Sequence, residues 1–147
     1  MDDIQVNIRP ARVGDFNIIT MLSEELGYKS SDTETLNRLD KILKSTDNAI
    51  FVATKTNSTV IGWIHVFCTH RVESDSFGEI GGLVVSSQYR KKGIGKKLVL
   101  TAQKWLEKNE IKKLRVRSKI ERKQAHKFYS KLGFYKEKEQ VVLDKNL

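Results

Sequence analysis

One stretch restricts this chain more than any other: residues 79–106, EIGGLVVSSQYRKKGIGKKLVLTAQKWL, read as a buried strand, a glycine-containing loop and an amphipathic helix without interruption. Leu83, Val84 and Val85 form a short apolar run of the kind that fills a strand, and Ser86 and Ser87 end it. Past the loop, Ile94, Leu98, Ala102, Trp105 and Leu106 fall on one helical face, which puts Gly93 and Gly95 at the helix start. A helix start has backbone N–H groups without intrahelical partners and the positive end of the peptide dipoles, so it attracts anions. The glycines let a phosphate approach the backbone closely, and Arg90, Lys91, Lys92, Lys96 and Lys97 surround the turn with positive charge. A polyphosphate or pyrophosphate ligand is expected.

Two common phosphate loops are ruled out. The ATP-type loop needs glycine where Arg90 stands and Ser or Thr where Lys97 stands, and the dinucleotide fingerprint needs a third glycine where Leu98 stands. What remains, Arg-x-x-Gly-x-Gly after an L-x-V strand, resembles the acetyl-coenzyme A signature of the GNAT superfamily of N-acetyltransferases. A second segment, Ala125-His126-Lys127-Phe128-Tyr129-Ser130-Lys131-Leu132-Gly133-Phe134, is similar to that family's A-x-x-F-Y-x-x-x-G-F signature. Ile8-Arg9-Pro10-Ala11 and Ile61-Gly62-Trp63 are also in its style, so the resemblance covers nearly the whole chain.

A length of 147 residues suits one domain, here 1–147, with room for a substantial core. No apolar run is long enough to span a bilayer, and the opening MDDIQVNIRP lacks the basic-then-apolar pattern of a secretion signal, so a cytoplasmic location is expected. The single cysteine, Cys68, excludes an internal disulfide and reads as a buried inert thiol, and three scattered histidines give no metal spacing. The net charge of +9 is unevenly spread: residues 1–77 carry 8 Lys and Arg against 11 Asp and Glu, and residues 78–147 carry 19 against 7. Such a basic half suits either nucleic acid or a small polyanion held on one side with a cationic acceptor met on the other. The resemblance favours the second. A non-catalytic module binding coenzyme A or nucleic acid through the basic half is the alternative, although no aromatic-rich basic strand supports RNA recognition.

Taken in order, Ile4 to Arg9 alternates as a half-buried strand, and Val13, Phe16, Ile19, Leu22 and Leu26 form one helical face closed by Gly27. Ser31 with Glu34 is a capping-box pattern opening a second helix. Ala49 to Thr54 and Val60 to Thr69 read as a hairpin, followed by a polar loop from His70 to Ser76 and the motif strand and helix. Leu114, Val116 and Ser118 alternate with Arg115 and Arg117 as a strand, a short helix through Ala125, Phe128, Tyr129 and Leu132 ends at Gly133, and Phe134 to Leu143 is expected to supply two final strands. The order predicts an α/β domain with a mixed central sheet and about four flanking helices. In the GNAT fold, which the motifs imply, the L-x-V strand and the next one splay apart.

The resemblance further implies acetyl-CoA as cosubstrate, with no metal, and direct acetyl transfer to an amine. Leu83, Val84 and Val85 would hold the pantetheine arm through backbone groups. Arg90, Lys91, Lys92, Gly93, Ile94, Gly95 and Lys96 would surround the pyrophosphate. Tyr129 matches the tyrosine that protonates the departing sulfur, a role suited to a phenol that is neutral near pH 7. Glu79, at the start of the motif strand, is the candidate base, with His65 on the neighbouring strand a second candidate. Many family members carry asparagine where Arg122 stands, so this arginine is expected either to reach a coenzyme phosphate or to be an exposed charge. The acceptor is expected to be a cation met by the acidic N-terminal half, where Glu24 and Glu25 cluster. A homodimer is left open.

Overall fold

The computed structural model describes residues 4–147; the first three residues, part of the segment read above against a secretion signal, lie outside it. The chain falls into two compact units, one running to Val116 and one covering Arg117–Leu147. In the first, β1 (Val6–Pro10) leads through a short 3-10 turn into α1 (Phe16–Glu25) and α2 (Asp32–Leu43). Three strands follow, β2 (Asn48–Lys55), β3 (Val60–Thr69) and β4 (Phe77–Val85), then α3 (Ile94–Lys108) and β5 (Leu114–Val116). The second unit contains α4 (Lys123–Lys131).

The five strands form one mixed sheet in the order β1-β2-β3-β4-β5, antiparallel except for the parallel β4–β5 pair. Its two faces are covered separately. Trp63 packs against a cluster that α1 and α2 form with one face of the sheet, including Ile19, Leu22, Leu39, Ile50, Val52 and Val84. A Cβ on its neighbour Gly62 would instead meet Leu98 of α3. Successive strand residues point to opposite faces, so α3 lies across the sheet from α1 and α2. Ile94, Leu98, Val99, Ala102 and Leu106, the apolar stripe of α3, are all buried.

Local signals account for the helix boundaries. Ser31 Oγ accepts the Glu34 N–H at 3.1 Å, and the Glu34 carboxylate accepts the Ser31 N–H at 2.9 Å, a complete capping box. Ahead of α1, the buried Asp15 accepts two hydrogen bonds from the Arg9 guanidinium at 2.9 Å and one from the Arg12 N–H at 2.8 Å. Burial pushes the Asp15 carboxyl up, but the Arg9 and Arg12 contacts outweigh it and hold the group below its ordinary 3.8. A depressed carboxyl stabilises the fold above its unfolded value, and that contribution is lost as pH falls through the folded value. Asp15→Asn is therefore expected to cost about 2 kcal/mol in urea melts at neutral pH, with the gap to the parent narrowing in acid.

One expected feature is absent. Among the described residues no strand follows α4; Val141, Val142 and Leu143 are 82%, 78% and 87% exposed. A β-branched run has strand propensity, but a strand needs a neighbouring edge to take its hydrogen bonds and a face to bury, and these side chains bury little.

Candidate active site

The strand β4 is closed for half its length and open for the rest. It pairs with β5 only through Gly78↔Leu114, Glu79↔Arg115 and Ile80↔Val116, so from Gly81 to Val85 the β5 side has no strand partner among the described residues. The strands part at a bulge. His65 stands opposite Gly82 and Val66 opposite Ile80, which leaves Gly81 as an extra residue. Aromatic side chains crowd the backbone there and favour glycine. A Cβ on Gly81 would fall 2.6 Å from His65 Nδ1 and 3.2 Å from Phe67, and one on Gly82 would fall 2.7 Å from the Trp63 ring.

Directly after β4 comes the basic loop. A 3-10 turn over Ser87–Tyr89 leads to Arg90, and Lys91 and Gly93 take positive φ values of +61° and +80°. Gly93 is the N-cap of α3 and supplies no side-chain cap; the first carbonyl bond of the helix runs from Lys97 N–H to Gly93 O at 3.1 Å. The N–H groups of Ile94, Gly95 and Lys96 thus face the loop as a helix start does, and nothing lies within 4 Å of where a Gly93 Cβ would be. Arg90, Lys91, Lys92, Lys96 and Lys97 are exposed around it, whereas the side chains of Val84 and Ile94 are in the core, so those two offer a ligand only backbone. Exposed basic side chains thus ring a helix start that follows directly on the open edge of β4.

The loop is tied back to α1. Glu25, at the end of that helix, accepts the Ser87 N–H at 3.0 Å and lies 3.7 Å from the Arg90 guanidinium, whose Nε donates to Val85 O at 3.1 Å. Glu25 is therefore engaged with the loop, which the sequence reading missed, and of the acidic pair only Glu24 projects without such a contact in the described chain. Glu79 is half-buried on the last closed rungs of the sheet, opposite Phe67 and Arg115. His65 lies on the same face as Glu79, at the level where the strands part. Burial lowers its imidazole below the ordinary 6.5. Cys68 is half-buried, and burial, then the nearby Asp47 charge, push its thiol up, in keeping with an inert thiol.

In the second unit Tyr129 packs edge-on between Phe128 and Phe134, with ring centroids at 5.0 Å and 5.2 Å. Burial pushes its phenol up to about 12, partly offset by the charge of Arg122. Tyr129 thus keeps its proton across the physiological range. Arg122 is the exposed N-cap of α4, and its guanidinium acts on the Tyr129 phenol. Among the described residues no group of three or more His, Cys, Asp or Glu is arranged to hold a metal, and no helix is long and apolar enough to cross a membrane.

Comparison with known proteins agrees with this fold. Residues 17–134 match the model of the Acetyltransferase (GNAT) family. The fold is similar to AAC(6')-Iy, solved in complex with the bisubstrate analogue CoA-S-monomethyl-acetylneamine, with a TM-score of 0.87 at 20% identity over 97% of this chain and 99% of that one. It is similar to the aminoglycoside antibiotic 6'-N-acetyltransferase AAC(6')-Ih from Acinetobacter baumannii, with a TM-score of 0.86 at 17% identity over 97% and 99%. Glucosamine-6-phosphate N-acetyltransferase from Arabidopsis thaliana superposes with a TM-score of 0.83 at 23% identity over 97% and 99%. No curated protein matches the sequence.

Proposed function

From membership of the GNAT acetyltransferase family, to which this chain belongs, we propose that it is one N-acetyltransferase domain over residues 1–147 that moves the acetyl group of acetyl-CoA directly to a primary amine of a cationic acceptor. The observation that carries this reading is the open edge of β4 from Gly81 to Val85, running straight into the helix start at Gly93. The backbone of Leu83 to Val85 pairs with the pantetheine amides as a neighbouring strand would. The pyrophosphate rests on the N–H groups from Gly93 to Lys96, among Arg90, Lys91 and Lys92.

The transfer forms a C–N bond and breaks a C–S bond. Tyr129 gives its proton to the departing sulfur, and its raised pKa keeps that proton in place until a thiolate develops. Arg122 holds the Tyr129 phenol in a positive field. Glu79 is the carboxylate that the cationic acceptor meets. Two of the similar folds belong to aminoglycoside acetyltransferases, by name or by the bound analogue, and one to a sugar-phosphate acetyltransferase. Polyamine-like acceptors and amino sugars are therefore the first to try. A cytoplasmic setting accords with the lone, unpaired cysteine.

The test is titration calorimetry with coenzyme A in the presence of a chelator, followed by thiol release from acetyl-CoA with a panel of amines. Saturable binding and amine-dependent thiol release are expected, together with a melting temperature that rises with coenzyme concentration. No binding at millimolar coenzyme refutes the reading. Binding without thiol release on any amine would favour a non-catalytic coenzyme-binding module.

A further inference from the structure

The amine side of the reaction needs a group that takes a proton at the point where the acceptor meets the thioester. On the proposed reading, that point lies where β4 and β5 part. Glu79 sits on a closed rung of the sheet opposite Arg115 and has interactions of its own. His65 sits at the first open level. Its Nε2 is 2.8 Å from Asn48 Oδ1, and the Asn48 amide is oriented by its own Nδ2, which donates to Ser45 Oγ at 3.0 Å. An amide oxygen only accepts, so Nε2 carries the ring hydrogen and Nδ1 has the lone pair. That Nδ1 is the atom a Gly81 side chain would strike, and Gly81 is exposed. Nδ1 has no hydrogen-bond partner among the described residues, and it is not fully buried, since Trp63 Nε1 is the one fully buried side-chain nitrogen or oxygen there without a partner.

We propose that His65, oriented by Asn48 and uncovered by the glycine of the bulge, is the general base that takes the acceptor's proton. The amine reacts as its neutral fraction. As its nitrogen bonds to the carbonyl carbon it becomes a much stronger acid, and Nδ1 takes that proton. The C–S bond then breaks with its electron pair on sulfur, which receives the Tyr129 proton, and solvent restores both side chains. The proton count closes with one lost from nitrogen and one gained by sulfur. Asn48 is a positioning residue, because it touches only the far side of the ring.

The ionisable groups on the elements packed against β3 are Lys55 of β2, Glu79 of β4 and Glu24 and Glu25 of α1, with the lysines and Glu107 of α3 on the opposite face. Burial depresses the imidazole. The neutral form is the base, and activity should fall as pH drops through a value below 6.5.

The experiment compares the parent with His65→Gln, Asn48→Asp and Glu79→Gln on one active amine, as pH profiles of kcat/KM beside coenzyme affinities. The acceptor's own titration is common to all four. His65→Gln should lower kcat about 100-fold, leave coenzyme affinity unchanged and remove the extra steepening of the profile in acid. Asn48→Asp places a carboxylate beside the ring and should move that limb to higher pH. Glu79→Gln should keep the limb and raise KM for the amine. Nitrogen-edited NMR of the unliganded chain should show the Nε2–H tautomer, a measurement that needs no active variant. An active parent whose His65→Gln variant keeps its rate and acid limb overturns the proton role alone, as does an Nδ1–H tautomer. A parent inactive on every amine overturns the functional reading as well.

Discussion

Tyr129→Phe is expected to lower kcat about 100-fold while coenzyme affinity stays within about twofold of the parent. The substitution keeps the ring between Phe128 and Phe134 and removes one hydroxyl, so it separates packing from proton donation. Stability offers a second readout. A phenol whose folded pKa is raised above 10 contributes stability below that value, and the contribution is lost as pH climbs from 10 toward about 12. The parent should therefore melt at lower temperature through that alkaline window, and Tyr129→Phe should be spared this share of the loss. Unchanged turnover in the variant, with chemistry shown to limit the rate, would leave Tyr129 a packing residue.

Gly93→Val should weaken coenzyme binding about 100-fold, on the order of 2.7 kcal/mol. Two costs combine. A β-branched residue at a φ of +80° is strained by on the order of 1–3 kcal/mol. Its side chain also fills the open space beside the helix start that the pyrophosphate would use. Gly93→Ala bears most of the backbone strain with little of the bulk, so affinity that falls further in Val than in Ala, at similar melting temperature, measures the blockage. Lys108→Ala, at the last residue of α3, is the control and should bind normally. Calorimetry giving the same dissociation constant for Gly93→Val and Lys108→Ala would mean that the loop does not hold the coenzyme.

Local features were readable from residue order. The strand Val60–Thr69 has the bounds its composition predicts, the Ser31–Glu34 cap closes as its spacing requires, and Gly27 and Gly133 follow α1 and α4 with φ values of +95° and +94°. The loop at Gly93 was equally plain, because a helix stripe and a glycine next to it are neighbours in sequence. The features on which the proposed site depends are contacts between distant residues. Asn48 and His65 are 17 positions apart and meet only because β2 and β3 pair in one particular register; Glu25 reaches Ser87 across 62 positions. Periodicity reports which residues share a face and says nothing of what lies opposite. The same limit explains the final strands, where Val141 to Leu143 have the composition of a strand without a partner.

The extra residue in β4 acts as a phase shift along the strand. Before it, Phe77 and Glu79 share the face with Phe67; after it, even-numbered Gly82 and Val84 take over that face, opposite His65 and Trp63. Odd and even trade places at Gly81. One strand can thereby serve two incompatible clients: its first half is locked into the sheet beside β5, and its second is turned so that Val84 anchors it to the core while one backbone edge stays unpaired. Removing Gly81 would restore strict alternation and turn Val84 away from the α1–α2 cluster. The length of this strand, counted to a single residue, is thus as much a determinant of the open edge as any side chain along it.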